Sequence, residues 1–190
     1  MKHLLTLWML ALCLCVSAKE TCPKVIPALQ EWKGGSGKLV LPAEGSIVVA
    51  PADEAALKSV ATVLAQDLKD LLDWNYTIRT GKPGKNDIYL SLMKPDKQLG
   101  EEGYVLTAGR YAGIEAPARQ GAFWGTRSLL QILYNEKGQL PKGVARDWSQ
   151  YPSRGFMLDV GRKFFTMDFL RQYVKILSFY KPVSYTHLRA

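Results

Sequence analysis

Arg154, Asp159 and Arg162 are the residues whose type and spacing best suit chemistry, and they bracket or interrupt one apolar run, Gly155-Phe156-Met157-Leu158-Asp159-Val160. A guanidinium offers five N–H donors in a rigid planar fork, which suits hydroxyl-rich or anionic ligands. Arg154 precedes the run and Arg162 follows it, so the two stand at opposite ends of one element. From position alone Arg162 is open between a ligand-binding arginine and half of a structural ion pair. Asp159, inside the run, reads as a structural acid, because a buried carboxylate needs hydrogen-bond partners.

Other chemistries find no support. The sequence has two histidines, His3 and His187, at its extreme ends. A histidine-based zinc site and a Ser-His-Asp triad are therefore not expected, and no metal is implied. Gly34 to Lys38 resembles a phosphate loop only briefly, since Leu39 stands where Ser or Thr would bind magnesium. No dinucleotide fingerprint is present, so no cofactor is implied. The adjacent acids Asp53-Glu54 precede a helical pattern and are explained by the helix dipole. Asn75-Tyr76-Thr77 is a glycosylation sequon by pattern only. The net charge is +8, but the basic residues are spread without a dense block. Nucleic acid is not an expected partner, because its binding calls for a basic stripe.

These residues have to be positioned by the elements around them. Ser46–Ala50 reads as a strand, and 53–73 as a helix with Leu57, Val60, Ala61, Leu64 and Leu68 on one face. Tyr76–Arg79, Asp87–Met93 and Tyr104–Thr107 read as strands, and Lys38–Leu41 as a short one after a glycine-rich loop. A second helix runs from Arg119 to Tyr134, where Gly121 and Gly125 would let another backbone approach. This alternation predicts an α/β layer domain, an open sheet packed by two helices. Leu140 to Ser153, with Pro141, Gly143 and Pro152, reads as a linker. The run 155–160 reads as a strand buried on both faces, as in a parallel sheet. A helix follows from Met167 to about Lys181, with Thr166 as N-cap.

Residues 147–165 read Asp-Trp-Ser-Gln-Tyr-Pro-Ser-Arg-Gly-Phe-Met-Leu-Asp-Val-Gly-Arg-Lys-Phe-Phe. They resemble the entry to the catalytic barrel of glycoside hydrolase family 20, the β-N-acetylhexosaminidases. Gly121-Ala122-Phe123-Trp124-Gly125-Thr126-Arg127-Ser128-Leu129-Leu130-Gln131-Ile132-Leu133 resembles the last helix of the domain ahead of that barrel. Thr126-Arg127-Ser128 stands where many members have Gln-Thr, and Lys163 where many have His.

The resemblance implies the first βα unit of a (β/α)₈ barrel, whose active site lies at the C-terminal ends of its strands. Arg162 would then be substrate-binding, donating to hydroxyls of the terminal sugar. Arg154, at the other end of the strand, would be structural. Phe123 and Trp124 are expected in the core. The partners implied are N-acetylhexosamine-containing glycans. The implied mechanism is substrate-assisted hydrolysis, in which the substrate's acetamido oxygen attacks the anomeric carbon and an Asp-Glu pair on a later strand orients it and protonates the leaving group. No such pair can be placed here, so no catalytic residue is assigned and the chain alone is expected to be inactive. The alternatives are the front domain of another exported glycosidase, of α-glucuronidase or O-GlcNAc hydrolase type, or a non-catalytic sugar-binding module.

Residues 1–18 read as a secretory signal peptide. Lys2 and His3 precede the apolar run Leu4–Cys15, and Val16-Ser17-Ala18 is a small-residue cleavage site. The run is shorter than the ~20 residues that span a bilayer. Cleavage near Ala18 would export the protein and leave Cys22 as the one cysteine of three. The expected organisation is thus 1–18 signal peptide, 19–147 α/β domain, 148–181 start of the barrel, and 182–190 a non-native tail, since Pro182-Val183-Ser184 does not continue the family pattern.

Overall fold

The computed structural model describes residues 21–188, so the leader read over 1–18 and its cleavage site lie outside them. The described elements are β1 (Glu31–Val40), β2 (Glu44–Val49), α1 (Glu54–Leu72), β3 (Asn75–Thr80), β4 (Ile88–Leu92), β5 (Tyr104–Ala108), β6 (Ala112–Ala116), α2 (Arg119–Asn135), β7 (Gln139–Asp147), β8 (Gly155–Asp159), α3 (Met167–Phe179) and β9 (Ser184–Leu188).

β1 to β7 form one seven-stranded sheet in the order β1-β7-β5-β6-β4-β2-β3. Its β2-β3, β2-β4 and β4-β6 pairs are parallel. The pairs of β5 with β6 and β7, and of β1 with β7, are antiparallel. One register row runs Val49, Leu90, Ile114, Leu106, Ala145 across five strands, and all five side chains are buried. The adjacent row, from Tyr89 through Gly113 and Thr107 to Val144, lies on the opposite face because side chains alternate along a strand.

α1 packs over β2, β3 and β4, α2 over β4 to β7, and the two helices touch, so they cover the same face. The apolar spacing of α1 puts Leu57, Leu64 and Leu68 fully inside. Each such side chain stabilises the fold by about 1.5–3 kcal/mol. α1 ends on Asp73 at φ 57, with the Asp73 and Trp74 N–H groups closing onto Lys69 and Leu68 carbonyls. At its start, Asp53 does not cap the helix; its carboxylate accepts the Leu92 N–H at 2.8 Å and ties α1 to β4. Only Glu54 of the acidic pair stands in the first turn.

Two expectations need correction in this half, and one strand was not expected at all. Leu140 to Asp147 is not linker but most of β7, held between β1 and β5. Pro141 is tolerated there because it lies opposite Lys38 at the edge of an irregularity in the β1 register. The glycine-rich stretch of 34–37 belongs to that same β1 strand, so β1 begins at Glu31 rather than Lys38. Ala112–Ala116 is an interior strand, β6, whose small residues leave room for α2.

β8, α3 and β9 form a strand–helix–strand unit with β8 and β9 parallel. Thr166 caps α3 by accepting the Phe169 N–H at 3.2 Å. Tyr173 packs α3 onto the strands, meeting Phe156 of β8 and Tyr185 of β9 through ring contacts of 5.5 and 6.1 Å. The expected burial of β8 on both faces is not found: Phe156 and Met157 are exposed, and so is Asp159. One helix and one neighbouring strand leave most of its surface uncovered. Asp159 is therefore not a buried structural acid; its oxygens meet the Gly161 N–H and Arg162 instead. The tail read over 182–190 supplies β9, paired from Ser184 opposite Gly155 to Leu188 opposite Asp159.

Candidate functional site

Arg162 follows β8 in a short bend and is 92% exposed at its side chain. Its Nε lies 3.3 Å from Asp159 Oδ2. An exposed pair of this kind contributes little to stability, so the guanidinium stays available to a ligand. Lys163 stands beside it with Nζ 5.8 Å from the Phe165 ring centre. The loop then enters α3 through the Thr166 cap.

Arg154 sits at the other end of β8 and is firmly tied down. Its guanidinium lies 2.8 Å from Glu102 of the front domain. It donates to Ser149 and to the Tyr151 carbonyl, while its Nε donates to the Lys181 carbonyl at 3.0 Å. The Arg154 carbonyl accepts the Val183 and Ser184 N–H groups, which starts the β8–β9 ladder. The structural role expected of this arginine is what these contacts describe. Trp124 is buried in the core as expected, and Phe123 packs half-buried against it.

Beside Arg154 lies a polar cluster that pattern reading did not find. Tyr104 on β5 stands opposite Asp147 on β7, so their side chains share a face. The Tyr104 hydroxyl donates to Asp147 Oδ2 at 2.6 Å and lies 2.6 Å from Ser128 Oγ on α2. Lys181, two residues past α3, inserts its Nζ 2.8 Å from Asp147 Oδ2 and 2.9 Å from the Tyr104 oxygen. Burial pulls the Lys181 ammonium below its ordinary pKa, against the raising effect of Asp147. Burial, then Asp147, pushes the Tyr104 hydroxyl well above its ordinary value, so it stays a donor. Gln131 joins the same junction, bonding Ile26 through both amide ends and the Phe179 carbonyl at 2.7 Å. A cleft of about 310 Å³ opens here, walled by Tyr104, Trp124, Trp148, Asp147, Arg154 and Lys181.

A second buried pair lies between the helices. Arg127 Nη1 is 2.5 Å from Asp67 Oδ2, and its guanidinium stacks 4.5 Å over the Phe123 ring. Nearby, Lys175 on α3 reaches Asp70 on α1 at 2.7 Å. Among the described residues no group of three or more His, Cys, Asp or Glu is placed to hold a metal ion. No described helix is long and apolar enough to cross a membrane.

Residues 22–148 match the family model for glycosyl hydrolase family 20, domain 2. Over 141 residues the chain is 34% identical to a lacto-N-biosidase from Bifidobacterium bifidum, covering 73% of this chain and 12% of that protein. Over 136 residues it is 33% identical to a beta-hexosaminidase from Porphyromonas gingivalis, covering 66% of this chain and 17% of that protein. Among solved structures, the beta-N-acetylhexosaminidase of Streptomyces coelicolor superposes with a TM-score of 0.75 at 26% identity, over 90% of this chain and 35% of that one. A mutant beta-hexosaminidase of Streptomyces plicatus in complex with its product GlcNAc gives 0.76 at 26% identity, with the same coverage of 90% and 35%. Fold and match together define an α/β domain of the glycosyl hydrolase class. The chain belongs to glycosyl hydrolase family 20. It spans 12% and 17% of these two curated relatives and 35% of each of these two solved chains. The comparisons favour neither the α-glucuronidase or O-GlcNAc hydrolase alternative nor the sugar-binding module.

Proposed function

We propose that this chain is the N-terminal part of an exported β-N-acetylhexosaminidase, which removes terminal N-acetylhexosamine residues from glycans. The observation that carries this reading is the family 20 domain over 22–148 running directly into a strand–helix–strand unit. In a (β/α)₈ barrel that unit would be the first repeat, and ligands gather at the C-terminal strand ends. Arg162 stands just past that end of β8, with its guanidinium exposed. It would donate to hydroxyls of the non-reducing sugar and fix the ring for attack.

The chemistry proposed is substrate-assisted, one of the departures from the two-carboxylate scheme. The acetamido oxygen forms a bond to the anomeric carbon as the glycosidic C–O bond breaks, and an acid protonates the departing oxygen. Water then opens the cyclic intermediate. The acid and its acetamido-orienting partner are not assigned in this chain, whose one adjacent Asp-Glu pair, Asp53-Glu54, lies at the start of α1 in the front domain. The 190-residue chain is therefore proposed to be inactive by itself. The test is turnover of an aryl N-acetylglucosaminide by the purified chain and by the enzyme encoded by the extended reading frame. Activity in the longer enzyme alone is expected. Turnover by the 190-residue chain would overturn the inactivity, and an inert longer enzyme would overturn the function. Export rests on the leader at 1–18, and N-terminal sequencing of secreted protein beginning near Lys19 would test it.

A further inference from the structure

We propose that Lys181 is a positioning residue through which the front domain aims the strand that leads to Arg162. This rests on the reading of Arg162 as a sugar-binding residue. A lysine at the end of a surface helix would ordinarily hold its ammonium in water. Here the residue is 6% exposed, and its backbone is held at φ 62, a conformation uncommon for a residue with a Cβ. The side chain points back into the front domain, where Asp147 and Tyr104 fix its nitrogen. The carbonyl of the same residue accepts Arg154 Nε at 3.0 Å. Arg154 immediately precedes β8, and β8 ends at the Asp159–Arg162 bend. One residue thus joins a rigid sheet on one side to the base of the ligand-bearing strand on the other.

The alternative is that Lys181 only contributes bulk stability. A buried ion pair is poor evidence for that, since desolvation of both charges offsets their attraction. Its distinguishing property is geometry: the ammonium has one place to sit, so the end of α3 and the start of β8 have one orientation. Contiguous contacts of this kind can carry coupling between two sites, and a double-mutant cycle measures it.

Hydrogen exchange on the chain, wild type against Lys181→Met, tests the positioning. Amides of 155–159 and 183–188 are expected to exchange about tenfold faster, while 88–92 and 112–116 keep their rates. Uniformly faster exchange, or no change at 155–159, would overturn the proposal. If Lys181→Met does not fold, the double variant Lys181→Met/Asp147→Asn removes both charges and carries the same expectation. In the longer enzyme, Lys181→Met and Arg162→Ala should lower kcat/KM for an aryl N-acetylglucosaminide less than additively; strict additivity would overturn the coupling. A wild-type enzyme without that activity would instead sink the hexosaminidase reading, and the local exchange pattern would still decide whether Lys181 positions β8.

Discussion

Lys181 Nζ and Asp147 Oδ2 meet at 2.8 Å across the boundary between the family 20 domain and the strand–helix–strand unit. Both side chains are more than nine-tenths buried. Asp147 is the last residue of β7 and Lys181 lies just beyond α3, so a contact spanning 34 positions closes the chain into one body. Asp147 also accepts the Gln30 N–H at 3.2 Å, which fastens the segment before β1 to the same point. The junction thus carries a buried, directional polar contact beside the apolar packing of Phe179 on the core.

The packing of α2 on the sheet predicts a sharp contrast between glycines. A Cβ on Gly121 would land on the Gly103 carbonyl oxygen, and one on Gly125 would meet Ile114 Cγ2 at 2.6 Å. A Cβ on Gly109 meets nothing within 4 Å. Gly121→Ala is expected to cost about 1–3 kcal/mol through overpacking. Gly109→Ala should stay within about 0.5 kcal/mol of wild type. Urea unfolding midpoints of the two variants check this, and equal midpoints would contradict the packing.

The Asp67–Arg127 pair predicts a different pattern. Burial lowers the Arg127 pKa, against the raising effect of Asp67, which shows the desolvation the pair bears. Arg127→Met would leave Asp67 buried and unpaired, a change expected to cost about 3–5 kcal/mol. Arg127→Met with Asp67→Leu removes both charges and should recover most of that loss. Thermal unfolding of the singles and the double reads the coupling; a double no better than the single would show that the ion pair was not the issue.

Asp96 gives the pH prediction. The Leu99 N–H, then the Arg146 guanidinium, holds its carboxyl below the usual aspartate value. Arg146 reaches it with Nη2 at 2.8 Å from both oxygens. A depressed folded-state pKa means that the unfolded chain binds the proton more readily, so stability rises with pH through the window. The contribution is complete above the unfolded value of about 3.9 and disappears as pH falls through the folded one. Wild type should therefore exceed Asp96→Asn in Tm at neutral pH, and the gap should close on acidification below about pH 4. A gap that does not vary with pH would refute the assignment.

Much of the front domain was legible because its local signals are strong. The 3.6-residue spacing of Leu57, Leu64 and Leu68 marks α1, and Gly121 and Gly125 mark the close approach of α2. β7 was not legible, because Pro141 and Gly143 carry turn character and only pairing with β1 and β5 makes them strand. Ala112 and Gly113 of β6 lack the branched side chains that signal a strand, and their place is set by neighbours. Lys181 stands where the helical pattern ends and carries no local signal of burial. Its role depends on Tyr104 and Asp147, residues 77 and 34 positions away.

The two ends of β8 supply the last prediction. Arg162 is 92% exposed and touches only Asp159 among the ion pairs described, so the fold does not depend on it. In the longer enzyme, Arg162→Ala should leave Tm nearly unchanged and reduce activity. Each lost hydrogen bond from a charged donor to a sugar hydroxyl should cost about 1.5–3 kcal/mol. That is roughly a tenfold to hundredfold loss in kcat/KM per bond. Arg154 differs in every respect. Its side chain is 20% exposed, and its contacts to Glu102, Tyr151 and Lys181 hold β8 to the front domain. Arg154→Ala should lower Tm by several degrees, while the enzyme that remains folded keeps most of its turnover. Tm and steady-state kinetics measured on both variants separate the roles. If Arg162→Ala unfolds the enzyme while Arg154→Ala is stable and loses activity, the ligand face has been assigned to the wrong end of β8.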